Sequence, residues 1–172
     1  MPLLHEKRSI TYTIVFGIWA EVFVYCLLHD QYLIRIEPEH FTVYHPPLWG
    51  IKNLTLLAAA WAFRASIGPG LVLGLAALFL ARAGKWPKIA PVVLLKIVPW
   101  LILVTEAAGL LAGAWVWKSG EPLYPDPVSL DESLPPRMLI TQTIQLTCYG
   151  AGGLVSVLFL GWIVRRRKML QA

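Results

Sequence analysis

Three ionisable residues stand inside apolar runs long enough to cross a bilayer: Glu21, Arg64 and Glu106. A guanidinium or carboxylate at such depth needs an opposite charge, a polar cavity or water. At ~1.5 Å rise per residue, Glu21 lies ~18 Å beyond Ser9 and Glu106 ~21 Å beyond Val92. Arg64 lies ~15 Å beyond Leu54, entering from the opposite side. With an apolar layer ~30 Å thick, all three reach its middle or outer half. Gln142 and Gln145 descend to the same level. The expected arrangement is an intramembrane polar cluster in which Arg64 pairs with one glutamate. Two carboxylates against one guanidinium leave one acid in surplus, which burial tends to protonate. Such a set fixes helix register or serves protons, cations or a small solute.

A second group lies in a polar stretch, Glu37, Glu39, His40 and His45, with His29 and Asp30 nearby. Carboxylates and imidazoles are divalent-metal ligands. Their spacing matches no strong metal motif, so a folded cap over the helix ends is the competing reading. No Gly-rich phosphate loop, Ser nucleophile elbow, HExxH or CxxCH occurs. The sequence therefore predicts no cofactor and gives no catalytic constellation.

Elements must carry these residues, and the composition says which kind. Of 172 residues, 57% are hydrophobic and 15% charged. Mean hydropathy is +0.61. The predicted fold is an all-α membrane protein, 1–172 forming a single polytopic domain. Four transmembrane helices, over about 9–28, 54–82, 92–117 and 138–164, form one bundle. The first run is longer than a signal-peptide core and carries Glu21, so it reads as a retained helix. The alternating, β-branched and aromatic stretch YLIRIEPEHFTVYH suggests a short β-hairpin in the first outer loop. Pro69 predicts a kink in the second helix. Gly70 and Gly74, and again Gly109 and Gly113, form GxxxG pairs that predict helix packing.

Basic residues set orientation. Lys7, Arg8, Arg82, Lys85, Lys88 and Arg165 to Lys168 lie on one side, against Arg35, Lys52, Lys118 and Arg137 on the other. This places both termini in the cytoplasm. The excess of cations is a topology signal and not a nucleic-acid footprint. Trp49, Trp61, Trp115 and Trp117 read as anchors at one interface, Trp86 and Trp162 at the other. The loop from Lys118 to Arg137 holds five prolines and the acids Glu121, Asp126, Asp131 and Glu132, which favours a solvated path.

The stretch from Asp30 to Ala65 resembles a family of small, uncharacterised bacterial membrane proteins. The resemblance rests on Asp30, Gln31, Arg35, Ile36, Pro38, Glu39, Phe41, Thr42, His45 and Pro46. It continues through Leu56, Leu57, Ala58, Trp61 and Ala65, and fails at Ser66 to Pro69. It implies a four-helix protein of a bacterial inner membrane and implies no activity. Two functions follow from the residues. One is a non-catalytic scaffold or accessory subunit that binds itself or other membrane proteins through glycine faces and outer loops. The other is a conduit using Glu21, Arg64 and Glu106.

Overall fold

The computed structural model describes residues 6–124 and 135–171. Its elements are α1 (Arg8–Ile36), α2 (Glu39–Thr42), α3 (Leu54–Arg82), α4 (Pro91–Leu95), α5 (Val98–Ser119) and α6 (Pro136–Met169). Four helical stretches are long and apolar enough to cross a membrane, Pro91–Ser119 counting as one. Asp126, Asp131 and Glu132 lie outside the described residues.

No strand occurs among the described residues, and the expected β-hairpin is absent. α1 runs on to Ile36, eight residues past the expected end at Leu28. The reason is visible in the side chains. Asp30, Leu33 and Ile34 are buried, a spacing of three and four that belongs to a helix. Gln31 and Arg35, one turn apart, bond to each other at 2.8 Å. Both then grip the start of α3: Gln31 Nε2 donates to the Thr55 carbonyl at 2.9 Å, and Arg35 Nη2 to Thr55 Oγ1 at 3.3 Å. Pro38 ends the helix by forcing Glu37 into an extended conformation, φ −143° and ψ 97°. Glu37 Oε1 then accepts from the Glu39 amide at 3.1 Å and helps start α2.

α3 begins on an Asn53 cap, whose Oδ1 accepts from the Leu56 amide at 3.1 Å. It remains helical through Pro69. The expected third helix is divided, because α4 stops at Leu95. Pro99 has no amide to offer the Leu95 carbonyl, and its ring crowds it.

Glycines set the closest helix approaches. A Cβ on Gly70 would lie 2.8 Å from the Trp19 ring, and one on Gly74 would lie 2.8 Å from the Val15 carbonyl. A Cβ on Gly109 would overlap Cys148 Sγ, and one on Gly113 would overlap Ile144. α1 is thus packed along α3, and α5 along α6.

The two helix pairs meet at both ends. At the end bearing the termini, Ile14, Ile18, Ala77, Leu94, Phe159 and Ile163 form one core. At the opposite end, Leu33, Ile34, Phe41, Leu57, Ala58 and Ile144 form another. The terminal end is further locked by polar contacts. Glu6 receives Arg82 at 2.9 Å and Lys88 at 2.7 Å. Arg167, buried, donates to the carbonyls of Leu80, Ala83, Trp86 and Pro87 at 2.5–2.9 Å. These include carbonyls that the end of α3 leaves without partners. The basic tail that the sequence assigns to topology therefore also contains a structural clamp.

Candidate functional site

Between the two cores lies a cavity of about 610 Å³. Its walls are largely apolar, with Val72, Leu73, Ile102, Val155 and Leu160 among them. Polar side chains gather toward the non-terminal end: His29 and Asp30 from α1, His45 after α2, and Gln145 and Tyr149 from α6.

Beside these groups is a hydrogen-bonded cluster drawn from three helices. Glu106 of α5 receives Tyr32 Oη on Oε1 at 2.7 Å. Its Oε2 lies 2.9 Å from His29 Nδ1. The carboxylate partner assigns the ring proton to Nδ1, which donates. Tyr32 Oη also lies 3.1 Å from His29 Nδ1. From α6, Cys148 Sγ reaches the Thr105 carbonyl at 3.6 Å and Glu106 Oε2 at 4.0 Å. The Tyr25 hydroxyl is buried close to Cys148 and Glu106, but no described residue meets strict hydrogen-bond geometry with it.

A second polar unit ties α2 to α6. His40 is buried, with Nδ1 3.0 Å from Thr141 Oγ1 and Nε2 2.6 Å from Gln145 Oε1. Desolvation pushes its pKa down to about 4, against the opposing effect of the Gln145 bond. Gln145 Nε2 donates onward to Tyr149 Oη at 2.9 Å. His45 Nδ1 contacts the His40 carbonyl at 2.5 Å, and its ring packs edge-on against Trp61 with centroids 4.8 Å apart. Trp61 also lines the cavity.

The five expected cluster residues are placed apart. Glu106 and Gln145 belong to the units just described. Gln142 is half-buried and makes no side-chain hydrogen bond among the described residues. Glu21 has a buried Oε2 without a partner among the described residues. Arg64 is exposed and pairs with neither glutamate; its guanidinium lies 5.2 Å from the Trp61 ring centroid. The expected ion pair is absent among the described residues, and at Glu106 the continuation of α1 past Leu28 supplies other partners. Its additional turns bring His29 and Tyr32 to Glu106, while Arg64 turns to Trp61 and Glu21 takes no ion-pair partner among the described residues.

The expected metal set also stays apart. His40 commits both ring nitrogens to α6, and Glu37 caps α2. Among the described residues, Glu39 and His45 do not join them in a ligand cluster. The ligand types that do converge are His29, Glu106 and Cys148. One signal could have found part of this. Glu21, Tyr25, His29 and Tyr32 are spaced four, four and three, a single helical face once α1 is allowed to continue.

The chain matches no protein-family model, no curated protein and no solved structure.

Proposed function

We propose that this chain is a membrane protein that binds one amphipathic molecule between its two helix pairs. The observation that carries the reading is the cavity of about 610 Å³, apolar along its length with polar groups gathered toward one end. That volume and that distribution of polarity suit a small-molecule site. The apolar body of the ligand would lie against Val72, Leu73, Ile102 and Val155. Its head, a hydrogen-bond donor such as a hydroxyl or amine, would face Asp30, His45 and Gln145. The resemblance to small bacterial proteins and the distribution of cations support an inner-membrane setting with cytoplasmic termini.

This reading takes precedence over association through the glycine faces. Gly70, Gly74, Gly109 and Gly113 are each covered by the chain's own helices. It also takes precedence over a conduit, since Arg64 stands away from Glu106.

The test is binding of a fluorescent long-chain alcohol to the purified chain in nanodiscs, with native mass spectrometry of retained small molecules. Saturable binding is expected, weakened by Ala65→Trp and Gly152→Leu, which fill the cavity. Asp30→Asn should weaken an amine-headed probe more than the alcohol. Binding that is unsaturable, or unchanged in both filling variants, would rule the site out.

A further inference from the structure

The geometry points to a zinc-class metal site formed by His29, Glu106 and Cys148, with a fourth position open toward the cavity. The three residues come from α1, α5 and α6, and their ligand atoms all lie within 4.8 Å of one another. His29 Nδ1 and Glu106 Oε2 are 2.9 Å apart, and Cys148 Sγ and Glu106 Oε2 are 4.0 Å apart. A tetrahedral zinc ion with bonds of about 2.0–2.3 Å holds its ligand atoms roughly 3.3–3.6 Å from each other. Those two separations bracket that range and the third, His29 Nδ1 to Cys148 Sγ, lies within 4.8 Å, so modest side-chain shifts complete the set.

The surroundings are those of a metal site. Tyr32 Oη holds Glu106 Oε1 at 2.7 Å, leaving Oε2 as the ligand atom. Such an outer contact orients a ligating carboxylate. The Tyr25 hydroxyl is buried close to Cys148 and Glu106, outside strict hydrogen-bond geometry to any described residue. It is placed to bond a water or ligand atom on the metal. His29 and Cys148 both line the cavity, which gives the fourth position its access. One nitrogen, one carboxylate oxygen and one sulfur favour zinc over the hard cations that take oxygen alone. On binding, the His29 proton moves from Nδ1 to Nε2 and the Cys148 thiol proton is released to solvent. The charge on the trio plus ion then sums to zero, which suits an apolar setting.

The inference stands on side-chain geometry and does not require the amphipathic ligand. Purified chain in detergent is reduced, stripped with chelator, exposed to Zn²⁺ and desalted, and metal is counted by mass spectrometry. One zinc per chain is expected, with a raised Tm. Cys148→Ser should abolish retention while Cys26→Ser retains it. Tyr32→Phe should weaken affinity about 10- to 100-fold. Co²⁺ reports the ligand directly: a thiolate-to-cobalt charge-transfer band should appear in wild type and Cys26→Ser and vanish in Cys148→Ser. Gel filtration checks that each variant is folded. If wild type retains no zinc, or Cys148→Ser retains it fully with the cobalt band intact, the site does not exist. Alcohol binding without zinc would overturn the metal site alone; zinc without alcohol binding would overturn the cavity reading alone.

Discussion

His29 and Glu106, 77 positions apart in the chain, meet at 2.9 Å and join α1 to α5. Glu106 accepts from both His29 and Tyr32, so its removal leaves two donors of α1 without their acceptor. A buried polar group so stranded costs about 1–3 kcal/mol. In metal-free protein, Glu106→Leu should therefore lower thermal stability clearly more than Tyr32→Phe, which removes one donor. Equal Tm values for wild type and Glu106→Leu would show that the contact does not hold the pairs together.

The glycine contacts make a contrasting pair of variants. Gly74→Ala would drive a methyl to within 2.8 Å of the Val15 backbone, which cannot swing aside. Overpacking of this kind costs about 1–3 kcal/mol. Gly150 is also helical, but a methyl added there would meet nothing within 4 Å. Gly150→Ala should be neutral or stabilising by up to about 1 kcal/mol, the helix-propensity difference. Denaturant titration in mixed micelles compares the two, and equal effects would contradict the close approach of α1 to α3 at Gly74.

Acid should weaken the fold in two windows. His40 is held neutral, its pKa lowered from 6.5 to about 4 by burial. An unfolded chain takes up that proton first, so the His40 contribution is complete above about 6.5 and is lost as pH falls toward about 4. Glu6 is held ionised, its pKa lowered from 4.5 to about 2, first by the Arg82 hydrogen bond and then by that of Lys88. Its contribution is complete above about 4.5 and is lost as pH falls toward about 2. Tm measured against pH should be flatter in the upper window for His40→Gln and in the lower window for Glu6→Gln. Profiles parallel to wild type would show that neither group is linked to folding.

Orientation is tested by labelling. In a Cys26→Ser, Cys148→Ser background, Glu121→Cys should react with an impermeant maleimide in intact cells. Lys168→Cys should react only after permeabilisation. The reverse pattern would invert the assignment drawn from the cations.

The four apolar helices are legible in the sequence because hydropathy and length alone decide them. α3 is readable to the residue, since Asn53 and Arg82 bound a continuous run. The end of α1 is not. YLIRI satisfies both a strand's alternation and a helix's three-four spacing, and only the burial of Leu33 and Ile34 against Leu57 and Ala58 selects the helix. That single boundary also hides the site. With His29 and Tyr32 read as loop residues, Arg64 is the one candidate partner left for Glu106. Cys148 is hidden for another reason: its role depends on which residue of α5 faces it, and Gly109 sets that register only in three dimensions.

Arg64 itself supplies the last test. It is exposed on α3, ten residues into the helix, and no carboxylate answers it among the described residues. Its guanidinium instead lies over Trp61, one turn nearer the helix start, at 5.2 Å from the ring centroid. A side chain directed this way carries its charge about 4.5 Å toward the non-terminal end of the bundle. This is the snorkelling expected of a long cationic side chain, with its methylenes left on apolar surface. An exposed cation–π contact contributes about 0.5–1 kcal/mol. Arg64→Leu should therefore shift unfolding by no more than about 1 kcal/mol, the lost contact being offset by the added apolar side chain. Combined with Glu21→Gln, its effect should add within about 0.5 kcal/mol, as for residues that do not interact. Severing a buried ion pair would instead cost about 3–5 kcal/mol. A loss of that size, or strong coupling to Glu21, would mean that Arg64 has a carboxylate partner and that α1 and α3 are registered differently.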